Sequence, residues 1–386
     1  MITMLVISGG KILTMGPEGT LQSKQIVVEG ERIAAITDKG QIPEDAEHLD
    51  ASGSYILPAF IDAHTHIGLE EEIYRVEGND VNETTDPVTP QLQAVDGIHF
   101  RDLAFQDALR GGIARVMSMP GSANVIGGQA VFLKTLASDM SGMIYKNPWG
   151  LKAALGENPK RVYGEQQKKA PRTRMANASL LREALYKAAR NLEKDSLDPE
   201  VEYKQGPLFK VLRKEMPLFL HAHRTDDMLT ALRIKEEFDI DMIIQHATEG
   251  VLIAEELSRK QIPIFIGPLM VNRAKVEMQE VAFKNARLLK EKGVTFSLIS
   301  DHPVTPVEHL RVYAALMVRE GLDEETALKA MTLHPAQALK VDNELGSIEV
   351  GKRADLVCFD GHPLDYRSRV KWVVVDGQVW HNRDEY

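Results

Sequence analysis

The chain has 386 residues, a formal net charge of −10 and 44% hydrophobic residues, proportions that allow a large core and a smaller second unit. The acidic balance excludes a basic nucleic-acid surface, and no apolar run approaches the ~18 residues of a membrane span; the expected partner is a small molecule, with no nucleic acid and no membrane. A single cysteine, Cys358, leaves no internal disulfide and no thiolate-rich metal site, which suits a cytoplasmic protein and leaves His, Asp and Glu as candidate ligands.

In chain order, Met1-Ile2-Thr3-Met4-Leu5-Val6-Ile7 lacks a basic n-region and soon meets Gly9-Gly10, so it reads as a strand rather than a signal peptide. Short strands are expected at 5–7, 11–14, 25–28 and 32–37, punctuated by glycines. The C-terminal stretch repeats the style at 354–359, 372–375 and 379–380. Both ends therefore predict one small discontinuous β-sandwich domain, residues 1–57 with 340–386. Trp372, Val373 to Val375 and Trp380 serve as its core in this reading; a homo-oligomer interface is their alternative use.

Residues 58–339 alternate between strand and helix patterns. Candidate strands are 60–66, 114–119, 130–134, 150–157, 217–223, 241–248, 263–267 and 295–301. Candidate helices are 102–109, 177–192, 226–237, 251–257, 281–290 and 307–319. This alternation predicts an α/β fold with a parallel sheet, and eight strands over roughly 250 residues match a (β/α)8 TIM barrel. An open doubly wound sheet is the competing fold, but Ile126-Gly127-Gly128-Gln129 is too short for a dinucleotide or phosphate fingerprint. The polar stretch 67–100 follows the first strand and the basic stretch 168–174 follows the fourth. Both belong on the C-terminal face of such a barrel, where active sites form.

Chemistry concentrates at the strand ends. In Phe60-Ile61-Asp62-Ala63-His64-Thr65-His66 the two histidines are two residues apart, so on a strand they share a face and can meet one metal. Leu218-Phe219-Leu220-His221-Ala222-His223, Ile243-Ile244-Gln245-His246 and Leu298-Ile299-Ser300-Asp301-His302 each end an apolar run on ionisable groups. The fourth strand ends on Glu157, a further candidate ligand. Histidine with carboxylate and no thiolate suits Zn2+, with Mn2+ or Fe2+ as the other fits.

Together these residues resemble the amidohydrolase superfamily, in particular its imidazolonepropionase-related members. The resemblance rests on Leu57-Pro58-Ala59-Phe60-Ile61-Asp62-Ala63-His64-Thr65-His66, on Gly346-Ser347-Ile348-Glu349-Val350-Gly351-Lys352-Arg353-Ala354-Asp355-Leu356-Val357, and on the His, His and Asp series. Pro120 to Gly128 and Ala154 to Arg161 look like a bacterial and archaeal branch of it. The resemblance implies a metal-dependent hydrolase of an amide or cyclic-amide C–N bond with two divalent ions. His64, His66 and Asp301 would hold one ion, and His221 with His246 the second. A fourth-strand residue would bridge them: Glu157 by its place at the strand tip, with Lys152, carboxylated in many relatives, as the alternative. Asp301 would act as general base and then general acid. Candidate substrate contacts are His223, Asn124, Arg172, Arg174 and His302. The competing readings are a mononuclear deaminase of an amidine or heterocycle and a non-catalytic scaffold.

Overall fold

In the computed structural model, which describes residues 4–38, 40–73 and 75–381, the strands collect into three sheets. Residues 1–3 of the expected first strand, and 382–386 of the expected C-terminal unit, lie outside the described residues. The first seven strands are β1 (Met4–Ser8), β2 (Lys11–Leu13), β3 (Thr20–Leu21), β4 (Lys24–Glu29), β5 (Arg32–Asp38), β6 (Glu47–Asp50) and β7 (Tyr55–Pro58). Eight more follow: β8 (Phe60–Thr65), β9 (Ile113–Ser118), β10 (Ile126–Lys134), β11 (Ile144–Ala154), β12 (Leu218–Ala222), β13 (Met242–His246), β14 (Ile264–Ile266) and β15 (Phe296–Leu298). The last three are β16 (Leu356–Phe359), β17 (Val370–Val375) and β18 (Gln378–His381).

One sheet has the order β5-β4-β1-β6 and another β18-β17-β16-β7-β2-β3, so the latter joins strands from both ends of the chain. Alternating apolar positions of the two sheets meet in one cluster that includes Ile7, Ile12, Ile26, Ile56, Leu356 and Val374. Trp372 is buried in it, whereas Trp380 is partly buried and packs against the larger core.

The third sheet holds β8 to β15 in sequential order, and every strand expected between residues 60 and 301 falls in it. The expectation that all eight run parallel needs correction: β10 is antiparallel to both β9 and β11. The connectors 119–125 and 135–143 explain it. A parallel return needs a crossover of about a dozen residues or more; these are shorter, so the chain doubles back. The sheet is nearly closed. Asp301 N–H donates to the His64 carbonyl (3.1 Å) and His66 N–H to the His302 carbonyl (2.8 Å), joining the segments that follow the first and last strands.

Helices Ala104–Arg110, Pro199–Leu212, Thr225–Phe238 and Leu333–Ala338 pack against the strands of the third sheet. Arg174–Leu192 is capped by Thr173, whose Oγ1 accepts from Ala176 N–H at 3.1 Å. A helix that the periodicity does not predict, Pro199–Leu212, begins with an Asp198 cap and proline in its first turn, the start signals the sequence does contain. Among the described residues no helix is long and apolar enough to cross a membrane. Among its described residues the stretch 67–100 has one short 3-10 turn, Ala94–Gly97. It is held down by side chains: Asn124 Nδ2 donates to the carbonyls of Glu83 (2.6 Å) and Asp86 (3.0 Å) and to Thr89 Oγ1 (3.1 Å).

Arg115, on β9, ties the eight-stranded sheet to the C-terminal strands. It is fully buried and donates from Nε and Nη2 to Asp355 (2.6 and 3.0 Å) and from Nη2 to Asp376 (2.6 Å). Removing the guanidinium leaves the buried Asp355 carboxylate without a cation, while Asp376 keeps Arg353 at 2.8 Å and Lys134 at 3.2 Å. Arg115→Met is therefore expected to lower unfolding stability by about 3–5 kcal/mol, read from urea denaturation. A loss well under about 1 kcal/mol, the scale of an exposed pair, would show that the cluster is not a structural tie.

Candidate metal centre

Strand ends of the third sheet deliver the ionisable groups to one place. His64 lies in β8 and His66 just beyond it; His221 lies in β12 with His223 just beyond; β13 ends on His246; Asp301 follows β15. His64 Nε2 and His66 Nε2 stand 3.1 and 3.3 Å from the same oxygen, Asp301 Oδ1. One ligand atom from each of His64, His246 and Asp301 lies within 4.8 Å of the others, and the same holds for His221, His223 and His246. His246 is shared, so the two groups adjoin.

The backbone at two of these residues is left-handed: φ is 72° at His246 and 57° at Asp301. Such conformations cost non-glycine residues on the order of 1–3 kcal/mol each. At His246 the reason can be read from the ladder. Gln245 pairs with His221 and shares its face, so a regular strand would turn His246 outward. The positive φ brings it back.

The imidazoles are oriented from behind. His66 Nδ1 lies 2.8 Å from the Met119 carbonyl and His246 Nδ1 lies 2.7 Å from the Gly267 carbonyl. A carbonyl only accepts, so each Nδ1 carries the proton and each Nε2 keeps its lone pair for the cavity. His223 Nδ1 is 2.8 Å from Thr248 Oγ1. Neither ring nitrogen of His221 has a hydrogen-bond partner although the residue is buried. Buried, unpartnered, lone-pair nitrogens beside a carboxylate are the donor set a divalent cation takes.

Charge states follow from burial. Burial pushes the His64 imidazole down to about 3, helped by the Lys152 charge, against its hydrogen bond to Asp301. His223 is likewise lowered to about 3, first by burial and then by the charge of Lys275. His221 and His246 are pushed well below the ordinary value, again chiefly by burial. Burial alone would raise the Asp301 carboxyl; His246, His64 and His66 outweigh it and hold it well below its usual range. Burial lowers Lys152 to about 7, opposed by Asp301.

The fourth-strand residue at the site is Lys152, and the preference for Glu157 needs correction. Strand β11 ends at Ala154, not at residue 157. Ala154 is level with His221 and Lys152 with Phe219, so Lys152 shares the His221 face. Its long side chain covers the climb: Nζ reaches 3.5 Å from His64 Nε2 and donates to Gln245 Oε1. Gly156, with φ 85°, breaks the strand; a side chain there would meet Glu277 and Asp227. Glu157 then opens the short helix Glu157–Lys160, and its N–H donates to Glu277 Oε2 at 3.1 Å.

A cavity of about 840 Å³ opens over His64, His66, His221, His223, His246 and Asp301. His223 lines it; Asn124, Arg172, Arg174 and His302 do not. Asn124 is taken up by the 83–89 segment. Arg172 is exposed. Arg174 Nε donates to Asp227 Oδ2 at 2.9 Å. His302 is buried, accepts from Val307 N–H at Nδ1 (3.3 Å), and directs Nε2 to within 3.5 Å of Glu72. Solvated, flexible arginines find the nearest carboxylate, which the sequence does not locate.

Two groups escape the sequence reading. Asp62, inside β8, is fully buried and accepts from the N–H groups of Ser300 (3.2 Å) and His64 (3.3 Å). Burial raises it to about 7, against those hydrogen bonds. The signal was a lone acid within an apolar strand. Lys275 lines the cavity from the segment between β14 and β15. That segment also follows a strand end, the argument that singled out 67–100 and 168–174.

A model of the amidohydrolase family matches residues 256–381, the part that contains Asp301 and the returning C-terminal strands. A crystal structure of an amidohydrolase from Thermotoga maritima MSB8 is 39% identical, with 98% of this chain and 100% of that chain covered and a TM-score of 0.93. The amidohydrolase tasK of Hapsidospora irregularis is 28% identical over 91% of this chain, which spans only 39% of that relative's length. An imidazolonepropionase of Picrophilus torridus is 24% identical, with 97% of each chain covered.

The buried imidazoles set a pH dependence. Their folded values lie below the ordinary 6.5, reaching about 3 for His64 and His223. Below 6.5 the unfolded chain takes up protons that the folded chain refuses. The imidazoles' contribution to the stability of the metal-free protein is therefore full above that value and is lost as pH drops from 6.5 toward 3. Denaturation midpoints measured across this window should decline steadily, and a flat profile would mean that the imidazoles are hydrated rather than buried.

Proposed function

The chain belongs to the amidohydrolase family, and from that premise we propose that it is a metal-dependent hydrolase of an amide or cyclic-amide C–N bond. The observation that carries the reading is the convergence of His64, His66, His221, His246, Asp301 and Lys152 beneath one cavity. The donor set fits two divalent cations, Zn2+ first and Mn2+ or Fe2+ next. His64, His66 and Asp301 would hold one, His221 and His246 the other, with Lys152 between them as a carboxylated bridge. When bound, the cations supply Lewis acidity and ease the deprotonation of water.

The chain's own residues do the rest. Asp301 presents a carboxylate that takes the proton of the attacking water and delivers it to the departing nitrogen. His66 and His246, held from behind by the Met119 and Gly267 carbonyls, keep their Nε2 atoms aimed at the reacting region. His223 borders the cavity beside His221 and is positioned to touch substrate. In this reading residues 58–339 form the metal-binding barrel, a (β/α)8 type modified by the antiparallel β10, and 1–57 with 340–386 a small β-sandwich. The sheet that joins β2, β3 and β7 to β16, β17 and β18 supports that division.

With excess metal present, Asp301→Asn is expected to lower kcat by roughly 10²–10⁴-fold while circular dichroism stays native. Near-wild-type turnover would remove Asp301 from the proton path. Metal analysis of the purified chain separates the readings further. Two ions per chain, falling on Lys152→Met, supports the bridged hydrolase. One ion per chain, with release of ammonia from an amidine or heterocycle, supports a mononuclear deaminase. A reconstituted wild type inert toward cyclic amides, N-acyl amino acids and dipeptides leaves a scaffold.

A further inference from the structure

The cavity lining has two characters. Leu269, Met270, Val271, Met278 and Phe283 make part of it apolar. Another part is a hydrogen-bonded chain: Lys275 Nζ donates to Asn158 Oδ1 at 2.7 Å, and Asn158 Nδ2 donates to Ser122 Oγ at 2.8 Å. Lys275, Asn158 and Ser122 all line the cavity.

Lys275 is the sole lysine or arginine in that lining among the described residues. An ammonium has three donors. One goes to a neutral amide, and no carboxylate among the described residues pairs with it. The buried Glu277, two residues along, instead accepts from Glu157 N–H through Oε2. The Lys275 charge reaches into the site, where it contributes to lowering both His221 and His223. Glu277 feels the Lys275 charge but does not pair with it directly, so a half-buried cation with no ion-pair partner among the described residues faces the cavity and gains from an anion that the cavity admits. One point charge matches a carboxylate; a phosphate dianion would call for a second cation, and Arg172 and Arg174 are not in the lining.

We propose that Lys275 determines substrate choice: the scissile C–N bond belongs to a small molecule whose carboxylate docks on the Lys275 ammonium and whose apolar part lies against Leu269, Met278 and Phe283. The inference rests on the C–N hydrolase reading and names its substrate class. Asn158 acts through Lys275 as a positioning residue, holding the ammonium by its amide oxygen.

The test uses the full chain loaded with Zn2+ and matched pairs: N-acetylleucine with N-acetylleucinamide, and pyroglutamate with its carboxamide. Binding is measured by calorimetry and hydrolysis by mass spectrometry. In each pair the carboxylate is expected to bind and turn over better by roughly tenfold to a hundredfold, the worth of one charge-assisted hydrogen bond. Lys275→Met should bring that ratio near one, mainly through KM, and Lys275→Arg should keep it. A wild-type ratio near one, or no detectable carboxylate binding, overturns the proposal. So does a ratio that survives in a folded Lys275→Met protein. Carboxylate-selective binding that Lys275→Met abolishes, without hydrolysis of any compound, leaves the proposal standing and removes the hydrolase reading instead.

Discussion

The seam between the first and last strands of the eight-stranded sheet is the constraint on which the site depends. Asp301 N–H bonds to the His64 carbonyl, His66 N–H bonds to the His302 carbonyl, and the Asp62 carboxylate takes the Ser300 N–H. These contacts set the height of β8 against the segment after β15. Asp301 Oδ1 then meets both His64 and His66 at 3.1 and 3.3 Å. A slip of one residue would send the histidines to the other side of the sheet. The seam is thus both the closure of the sheet and the alignment of half the centre.

The remainder of the centre is placed by local departures from regular geometry. Left-handed backbone at His246 and Asp301 turns side chains where a regular strand would not. Gly156 ends β11 early, so that Lys152 rather than Glu157 reaches the histidines. Burial then keeps the imidazoles neutral, while His246, His64 and His66 keep Asp301 ionised against burial, the protonation states in which each offers lone pairs to a cation. Strain, desolvation and orientation all oppose stability and all serve one geometry, a pattern expected of functional sites.

Around the centre, the cavity is built mostly from connections rather than strands. The 67–100 stretch contributes Glu70, Val81 and Asn82, and the segment between β14 and β15 contributes Lys275, Met278 and Phe283. Strand ends supply the clustered ionisable groups while loops supply much of the surrounding wall. The buried Arg115 cluster with Asp355 and Asp376 belongs to a different task, joining the C-terminal strands to the same sheet.

Much was legible in the sequence because local pattern is enough to specify it. Apolar runs ending in His64, His221, His246 and Asp301 mark strands and name the residues at their tips, since a strand's direction and its end are properties of a few consecutive residues. The order of the eight strands and the family resemblance rest on the same local runs. The tertiary structure alone decided the rest. Connector length against sheet closure made β10 antiparallel. The registers of β11 and β12, set by ladders between distant segments, brought Lys152 to the site and left Glu157 outside. Arg174 went to Asp227 and Lys275 to the cavity because long charged side chains settle on neighbours far away in sequence. The residues able to hold a metal can be read one strand at a time; what that metal would face exists only once the strands have closed.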